Sequence, residues 1–449
     1  MANTYLRRSI SSAGSQTKWC ASAWVKRCEL GLSGGVYCSS DSSTNQNTRG
    51  IFFSAVDTIE CGFYNGGWVY EVETNRKFRD LSAWYHIVIA MDTTQATASD
   101  RVKIWVNGVQ ETSMSVTNYP SQNSTHNFFG TDIYQLIGNL REGSAIHHSC
   151  IISHVHVTDG YTYQASDFGE FDANGVWTIK TSPSVTYGTN GFFILKDGNS
   201  VTDQSGNGNN FTVAGGTLTN TEDSPSNVFA TLNPLDTTIV GTTATFAYGN
   251  TQWTSSGNST SNNGTRMTLG ASSGKYYFEA KLLEATLTRI GVHLDSVNPI
   301  YDSNGYIGNN SGYYAIYIDN SDNIYAIVAG SNQNVNLGSV TNNDIIGCAF
   351  DFDNNKFYFS KNGTWLNSGD PTSGATGTGS FGTLASGLYI PAVTNVSWDV
   401  TSSTAFNFGN GYFGTTAVAS AGTNASGNGI FEYDVPTGYT ALSTKGLNL

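Results

Sequence analysis

The stretch "DFDNNKFYFSKNGTWLNSG", residues 351–369, alternates apolar and polar side chains and then carries an Asn-Gly pair. Phe357 and Phe359 stand two positions apart, which is the side-chain period of a β-strand with one buried face. Asn-Gly supplies the positive φ angles that a tight hairpin turn requires. The stretch therefore predicts a strand that enters a β-hairpin.

The same pattern occurs much earlier in the chain, in "ASDRVKIWVNGVQ" at residues 98–110. Val102, Ile104 and Val106 provide the alternation, and Asn-Gly again closes the run. The distance between the two copies is far longer than the roughly 20 to 50 residues of a propeller or solenoid repeat. Two separate β domains, each built on the same hairpin principle, explain the spacing better.

The composition agrees with an all-β protein. The chain has 449 residues, 50 glycines and 12% aromatic residues, which is enough for two or three domains of roughly 100 to 200 residues each. Charged residues make up only 12%, and the bias is typical of strands joined by Gly, Asn, Ser and Thr turns. No window sustains the apolar spacing of an amphipathic helix. We expect little helix beyond single turns.

The charge balance argues against several classes of partner. A formal charge of -13 with few basic residues disfavours nucleic acid and anionic lipid, because phosphate binding needs clustered Lys and Arg. No run reaches the 18 apolar residues of a membrane span, and "MANTYLRRSISSAG" at residues 1–14 lacks the apolar core of a signal peptide. We expect synthesis in a cytoplasm and no membrane insertion.

The pattern along the chain divides it into four parts. Residues 1–196 alternate strand-like runs with polar turns, and residues 197–238 are dense in Gly, Asn, Asp, Ser and Pro, which indicates a linker on the surface. Residues 239–410 are again rich in strand patterns, and residues 411–449 form a weakly patterned C-terminal tail. The prediction is two tandem antiparallel β-sandwiches with a loop-rich linker and a tail.

Several stretches resemble a known family. In the first part, "SAWVKRCELG", "WYHIVIAMDTTQATASDRVKIWVNGVQ", "HVHVTDGYTYQASDFGEFD" and "YGTNGFFILK" resemble the laminin-G-like, concanavalin A-like sandwich of marine tailed-phage structural proteins. In the second, "GKYYFEAKL", "IGCAFDFDNNKFYFSKNGTW", "LYIPAVT" and "AFNFG" resemble a SPRY domain. Both are sandwiches of jelly-roll type, so the resemblance implies two of them in tandem.

The resemblance implies a function as well as a fold. It implies a non-enzymatic virion structural protein, exposed as a fibre, spike or decoration on head or tail, with other virion proteins as partners. It also implies a homo-oligomer, and analogy with phage fibres favours a trimer. The alternative is a carbohydrate-binding adhesin that recognises host surface glycans, because members of this fold mostly bind sugars or protein loops.

Carboxylates suited to catalysis are hard to find. A glycan hydrolase needs two carboxylates facing each other across a groove. Glu71 and Glu73 are two positions apart, but the stretch favours a solvated strand face over an acid/base pair. Asp351 and Asp353 have the same spacing and are expected to bind backbone amides at the turn. No nucleophile elbow or nucleotide-binding loop is present, so we expect no enzymatic activity.

Metal sites have weak support. His147, His148, His154 and His156 form a cluster, and simple alternation places His154 and His156 on one face of a strand. A third ligand with suitable spacing is missing, so face-lining histidines are the favoured interpretation.

A calcium site is the second possibility considered. Asp197, Asn199 and Asp203 lie among glycines, and hard cations take oxygen ligands from such loops. The loop lacks the glutamate that closes an EF-hand, and we expect no cofactor.

The six cysteines show no paired spacing, so buried free thiols are expected. A bridge between Cys20 and Cys61 stays open, because sequence does not give the distance between them.

Two aromatic stretches suit a sugar. Tyr and Trp rings cover the apolar faces of sugars while Asn side chains bind the hydroxyl groups. The competing interpretation is that each ring belongs to the core. The predicted ligand-binding residues are Tyr64, Asn65 and Trp68 in "FYNGGWVY" and Asn362, Trp365 and Asn367 in "NGTWLNSGD".

Overall fold

The computed structural model describes residues 4–41, 46–143, 146–236, 244–255, 264–297, 310–397 and 400–449. Two compact units divide the chain, one made of residues 1–220 with 224–226 and the other of residues 221–223 with 227–449. The predicted boundary at residues 238 and 239 lies outside the described residues.

Strands are the main regular secondary structure of the first unit. Among its described residues, one short α-helix, α1, spans Ala165–Phe168, and a 3₁₀ turn spans Ala98–Asp100. The strands of the first unit are β1 Tyr5–Ser9, β2 Lys18–Arg27, β3 Gly34–Asp41, β4 Gln46–Phe53, β5 Thr58–Asn65, β6 Trp68–Lys77, β7 Trp84–Asp92, β8 Val102–Val106, β9 Val109–Glu111, β10 Met114–Asn118, β11 Ile133–Ile137, β12 Cys150–Asp159, β13 Gly169–Phe171, β14 Trp177–Ile179, β15 Phe192–Ile194 and β16 Thr212–Ala214.

Fourteen of these strands form a two-layer sandwich, and β13 and β14 pair only with each other. One sheet has the order β10-β6-β5-β4-β3-β11-β1-β16, and the other has the order β15-β12-β2-β7-β8-β9. Alternate side chains of both sheets meet in one core, which includes Trp19, Ile89, Cys61 and Val72. Residues on the opposite faces of the strands are therefore directed outward.

The second unit repeats this architecture. Its 3₁₀ turns span Leu366–Ser368, Pro371–Thr376 and Gly446–Asn448. The strands of the second unit are β17 Ala244–Ala247, β18 Gln252–Ser255, β19 Gly264–Arg266, β20 Lys275–Glu284, β21 Thr288–Leu294, β22 Tyr313–Ile318, β23 Ile324–Val328, β24 Ser331–Asn332, β25 Ile345–Asp351, β26 Lys356–Lys361, β27 Thr364–Trp365, β28 Tyr389–Asn395, β29 Ser402–Asn407, β30 Tyr412–Phe413, β31 Thr416–Ala417 and β32 Thr440–Ala441.

Two sheets again enclose a core. The larger sheet runs β17-β18-β29-β20-β25-β26-β27, with β32 parallel to β20, and the smaller one runs β19-β28-β21-β22-β23-β24. The predicted all-β class with tandem antiparallel sandwiches is confirmed. Both Asn-Gly turns also form as predicted: Asn107 and Gly108 have φ of 49° and 82°, and Asn362 and Gly363 have φ of 47° and 77°.

The structure differs from the predicted linker and tail. Within 197–238, β16 pairs with β1, Phe211 is buried in the first core and Leu232 in the second. In the tail, Tyr439 and the neighbouring strand β32 pack into the second unit. A few isolated apolar residues are enough to anchor each of these polar stretches to a core. Such residues do not form a periodic pattern, so the sequence analysis does not detect them.

The cysteines are free thiols, as predicted. Cys61 lies in the core between the sheets, whereas Cys20 packs with Ala165 and Phe168 in a separate cluster. The open alternative of a Cys20–Cys61 bridge is therefore wrong.

Candidate functional site

The β5–β6 hairpin positions the first group of predicted binding residues. Its turn is closed by a hydrogen bond from the Asn65 N–H to the Gly67 carbonyl, 2.9 Å long. Gly66 has a φ of 70°, which favours glycine. Tyr64 and Trp68 pair across the hairpin, and their rings meet edge to face with centroids 5.5 Å apart. Asn65 is exposed at the tip.

Trp68 lies on the outer face of the eight-stranded sheet. A Cβ atom at Gly62 would be 2.7 Å from the Trp68 ring. The indole can therefore occupy this position only because residue 62 has no side chain. The Arg49 guanidinium lies 4.6 Å from the Trp68 ring centroid and 4.2 Å from that of Phe52. These cation–π contacts fix the ring against the sheet while leaving it partly exposed.

Three carboxylates flank this ring. Glu60 on β5 pairs directly with Glu73 on β6, and Glu71 pairs with Gly62. Glu60 forms an ion pair with Arg49, while Glu73 accepts a hydrogen bond from the Thr58 hydroxyl.

Burial raises the pKa of two of these carboxyl groups, those of Glu60 and Glu71. It raises the pKa of Glu60 to about 7 although Arg49 opposes the shift, and Glu71 and Glu73 push it further upward. The pKa of Glu71 is also raised, by partial burial and by the neighbouring charge of Glu73. The carboxylates repel one another, so this face favours partners that bring hydrogen-bond donors and no negative charge.

Aromatic faces and carboxylate acceptors thus occur together on one partly exposed surface. This combination suits a sugar, whose C–H face packs on a ring while its hydroxyl groups donate to carboxylates. We call this surface the Trp68 patch. It consists of Arg49, Glu60, Tyr64, Asn65, Trp68, Glu71 and Glu73.

The second predicted group serves the fold of its own hairpin. The Trp365 ring is partly buried on β27 and packs edge to face against Tyr277 and Tyr358, with centroids 6.4 and 6.5 Å away. For Trp365 the structure therefore favours the competing interpretation, a ring packed against the core. The sequence did not reveal that β27 returns along β26 and directs the ring onto the sheet.

The two amides of that group contribute contacts to their own hairpin. The Asn362 side chain donates to Asp344, 2.6 Å away, and accepts from the Ile345 N–H, 2.8 Å away. The Asn367 side chain donates to the Gly379 carbonyl at 3.1 Å.

The calcium candidates do not converge on an ion. The Asp203 carboxylate accepts from the N–H groups of Phe193, Ser205 and Asn209 and from the Ser205 hydroxyl, all at 2.8 to 2.9 Å. Asn199 instead donates to the Leu218 carbonyl at 3.3 Å. A carboxylate surrounded by donors has no free lone pairs for a cation.

The histidines lie apart from the predicted arrangement. The register of β12 shifts between Ser153 and His156, and His154 has a φ of 48°, so simple alternation fails there. His156 stacks on Phe193 with ring centroids 3.8 Å apart. Within the described ranges, no three His, Cys, Asp or Glu side chains are placed to hold a metal ion.

Asp351 and Asp353 both accept from backbone amides, as predicted, but only the Asp351 contact lies within the turn. Asp351 accepts from the Asn354 N–H at 3.0 Å, and Asp353 accepts from the Gly274 N–H at 2.7 Å. In the part of the chain that the structure describes, no helix is long and apolar enough to cross a membrane.

Sequence reasoning missed Glu60 and Arg49. Both are brought to Trp68 by the pairing of β4 with β5 and of β5 with β6. The available signal was the alternation in "TIECGFYN", residues 58–65, which places Glu60, Gly62 and Tyr64 on the face opposite Cys61 and Phe63.

The family comparisons agree with the geometry. Residues 2–143 match the model described as the concanavalin A-like lectin/glucanases superfamily, and residues 275–408 match the SPRY domain model. The chain carries a concanavalin A-like domain followed by a SPRY domain. No curated protein matches the sequence.

Solved structures of SPRY domains are also similar. The SPRY domain of human HERC1 is 18% identical over 35% of this chain and 87% of that chain, with a TM-score of 0.27. The TRIM65 PSpry domain is 15% identical over 40% of this chain and 90% of that chain, with a TM-score of 0.29. The fold assignment itself rests on the strand pairing and the two family models.

Proposed function

We propose that this protein is a non-enzymatic, glycan-binding adhesin displayed on the surface of a tailed-phage particle. The observation that carries the binding role is the edge-to-face pair of Tyr64 and Trp68, which lies beside the carboxylates of Glu71 and Glu73 on an outer sheet face. The match of residues 2–143 to a superfamily that includes lectins supports it.

The Trp68 patch favours neutral sugars. It contains three carboxylates against one guanidinium, so an acidic sugar would meet net repulsion. Hydroxyl groups of a neutral sugar can donate to Glu71, and its C–H face can pack on the Trp68 indole.

The proposal of binding without hydrolysis is supported by the contacts of two of the carboxylates. Hydrolysis needs one carboxylic acid free to protonate the leaving oxygen and a second carboxylate free to attack or to activate water. Here Glu60 is paired with Arg49 and Glu73 accepts from Thr58, so both are engaged in the fold. Chromatography of a neutral oligosaccharide after prolonged incubation should show no cleavage, and product formation would contradict the proposal.

The virion location rests on the resemblance to phage structural proteins and on the tandem binding-type domains. The chain would assemble with other virion proteins as a fibre, spike or decoration. Mass spectrometry of purified particles should find it in stoichiometric amounts. Its absence from particles would contradict the virion location but not the proposed glycan binding.

We also propose a homotrimer, by analogy with phage fibres. Tail exchange between copies is not needed for it, because the tail packs on its own unit through Tyr439 and Leu442. Light scattering at micromolar concentration should give three times the 48.0 kDa chain mass. A monomer under those conditions would contradict this proposal without affecting the glycan site.

The binding role is tested with a glycan array. Wild-type chain should bind neutral glycans, and Trp68→Ala should lose those signals. Val69→Ala is the matched control, because Val69 is the next residue and is 48% exposed. An array with no wild-type signal, or one on which Trp68→Ala retains the full pattern, would overturn the proposed site.

A further inference from the structure

The Arg49 guanidinium connects the Trp68 indole to the sheet beneath it. It lies 4.6 Å from the Trp68 ring centroid and 4.2 Å from that of Phe52, which is buried on the same strand as Arg49. Trp68 itself is partly exposed. The position of this exposed ring therefore depends on where the guanidinium lies.

Glu60 on the neighbouring strand fixes the guanidinium. The two side chains form an ion pair in which Arg49 is 19% exposed and Glu60 is 6% exposed. The Nε–H group of Arg49 is buried and has no hydrogen-bond partner among the described residues. In that part of the chain, the bond to Glu60 is the one hydrogen bond of the guanidinium. Loss of the charge on Glu60 would therefore release it.

Other titratable groups surround Glu60. Those in electrostatic contact with it are Arg49 on β4, Glu71 and Glu73 on β6, and the thiols of Cys38 on β3 and Cys61 on β5. Both thiols are neutral near pH 7, because burial raises the pKa of Cys38 to about 12 and also raises that of Cys61. Arg49 is the one cation of this set, so the carboxylates compete for it.

Both charge states of Glu60 occur near neutral pH. Burial raises its pKa to about 7, and Glu71 and Glu73 add to that shift while Arg49 opposes it. Glu60 is therefore ionised and paired with Arg49 above about pH 7, and it is protonated below that pH.

Protonation of Glu60 would redirect the guanidinium toward Glu71. Burial and the charge of Glu73 raise the pKa of Glu71 while Arg49 opposes the shift, so the guanidinium already acts on this carboxylate. A guanidinium that has lost one carboxylate partner favours another on the same face. That movement would withdraw it from between the two rings, and it would occupy the acceptor that a sugar hydroxyl needs.

We propose that Glu60 positions Trp68 through Arg49, so that the Trp68 patch binds a neutral sugar more tightly while Glu60 is ionised than while it is protonated. Glu60 and Arg49 are positioning residues in this role, because neither has to contact the sugar. The inference rests on the proposed glycan binding, but its first step, the movement of the indole, needs no sugar. Binding should therefore weaken in mildly acidic surroundings.

The first step is tested without sugar, by ¹⁹F NMR of the full chain labelled with 5-fluorotryptophan. The chain has nine tryptophans, and the resonance that disappears in Trp68→Phe belongs to Trp68. In the wild type this resonance should move between pH 6 and pH 8 with a midpoint near 7, the pKa of Glu60. In Glu60→Gln it should stay at its low-pH position. In Arg49→Gln it should not move although Glu60 is present.

Glu279→Gln is the matched control for this titration. Burial raises the pKa of Glu279 to about 7 as well, but Glu279 lies in the second unit. The Trp68 resonance of this variant should move as in the wild type.

The second step is tested by calorimetry with the neutral oligosaccharide that gives the strongest array signal. The wild type should bind it about tenfold more weakly at pH 6 than at pH 8, which is within the usual range for coupled sites. Glu60→Gln should bind at both pH values as weakly as the wild type does at pH 6. Arg49→Gln should also bind weakly at both, and it serves if Glu60→Gln fails to fold.

Three results would overturn the proposal: a Trp68 resonance that stays fixed in the wild type, one that moves equally in Glu60→Gln or Arg49→Gln, or equal wild-type affinities at pH 6 and pH 8. A different result separates this proposal from the glycan-binding function. If the resonance moves as expected but no glycan binds at either pH, the function is refuted and the positioning of Trp68 by Glu60 is supported.

Discussion

The Glu279 carboxylate accepts a hydrogen bond from the backbone N–H of Tyr433, 2.8 Å away, and so joins β20 to the C-terminal tail. It also accepts from the Glu432 N–H at 2.9 Å, the Tyr277 hydroxyl at 3.1 Å and the Asn407 amide at 3.2 Å. One buried side chain therefore satisfies two backbone donors of a segment that has little regular structure of its own.

The stability of the second unit should depend on pH through Glu279. Burial raises its pKa from 4.5 to about 7, although the four donors oppose the shift. Because the folded pKa is the higher one, this stabilising contribution is complete below about pH 4.5 and is lost as pH rises through about 7. The full difference corresponds to about 3 kcal/mol in the free energy of unfolding.

Urea unfolding of the wild type and of Glu279→Gln from pH 5 to pH 8 measures this dependence. The wild type should lose stability relative to the variant as pH rises, since glutamine does not titrate. Parallel pH profiles would show that Glu279 does not change protonation in this range. Glu60 titrates in the same window but is present in both proteins.

Gly62→Ala should abolish glycan binding without unfolding the chain. The new Cβ would lie 2.7 Å from the Trp68 ring and 2.8 Å from the Tyr70 carbonyl, so the indole must move. We expect a loss of about 1 to 3 kcal/mol of stability from overpacking. Gly67→Ala is the matched control in the same hairpin, because nothing lies within 4 Å of its Cβ position. Equal array signals for the two variants would contradict the account.

Asp57→Asn should destabilise the first unit by about 3 kcal/mol, the scale for breaking a buried ion pair. Arg27 is 0% exposed and pairs with Asp57 at 3.0 Å. Burial would raise the pKa of Asp57, but the Gly31 N–H and the guanidinium groups of Arg79 and Arg27 hold it below its usual value. Stability from this group is therefore lost as pH falls through the acidic range.

Denaturant unfolding near pH 7 checks this value, and Arg79→Ala supplies the comparison. Arg79 also contacts Asp57, at 2.9 Å, but its side chain is 58% exposed, so its loss should cost at most about 1 kcal/mol. A larger effect for Arg79→Ala than for Asp57→Asn would refute the assignment.

Trp365→Ala should destabilise the second unit by about 2 kcal/mol and leave glycan binding unchanged. The magnitude is smaller than for a fully buried tryptophan because the ring is only partly buried against Tyr277 and Tyr358. Urea unfolding gives the first quantity and the array gives the second. A stable variant with reduced binding would restore Trp365 as a ligand contact.

Local patterns were sufficient for the sandwiches. Alternation in "VKIWV", residues 102–106, and the Asn-Gly turns reflect backbone physics that acts over a few residues, and the structure confirms both hairpins. The order of strands within the sheets is a long-range property. The contact of Arg49 with Glu60 and Trp68 therefore could not be predicted from any single stretch.

Errors occurred where tertiary contacts override a local pattern. Trp365 is predicted to bind a ligand, but β27 folds back along β26 and packs the ring against the sheet. His154 lies at a register shift that alternation does not anticipate. The tail is weakly patterned because its contacts are long-range: the buried carboxylate of Glu279, the pairing of β32 with β20 and a few isolated apolar side chains.

The most direct test of the central claim is calorimetric titration of the full chain with the neutral oligosaccharide that binds best on the array. We expect Trp68→Ala to raise the dissociation constant by about tenfold to a hundredfold, which corresponds to about 1.4 to 2.8 kcal/mol, and Val69→Ala to leave it unchanged. Equal dissociation constants for the wild type and a folded Trp68→Ala variant would contradict the assignment of the glycan site to the Trp68 patch.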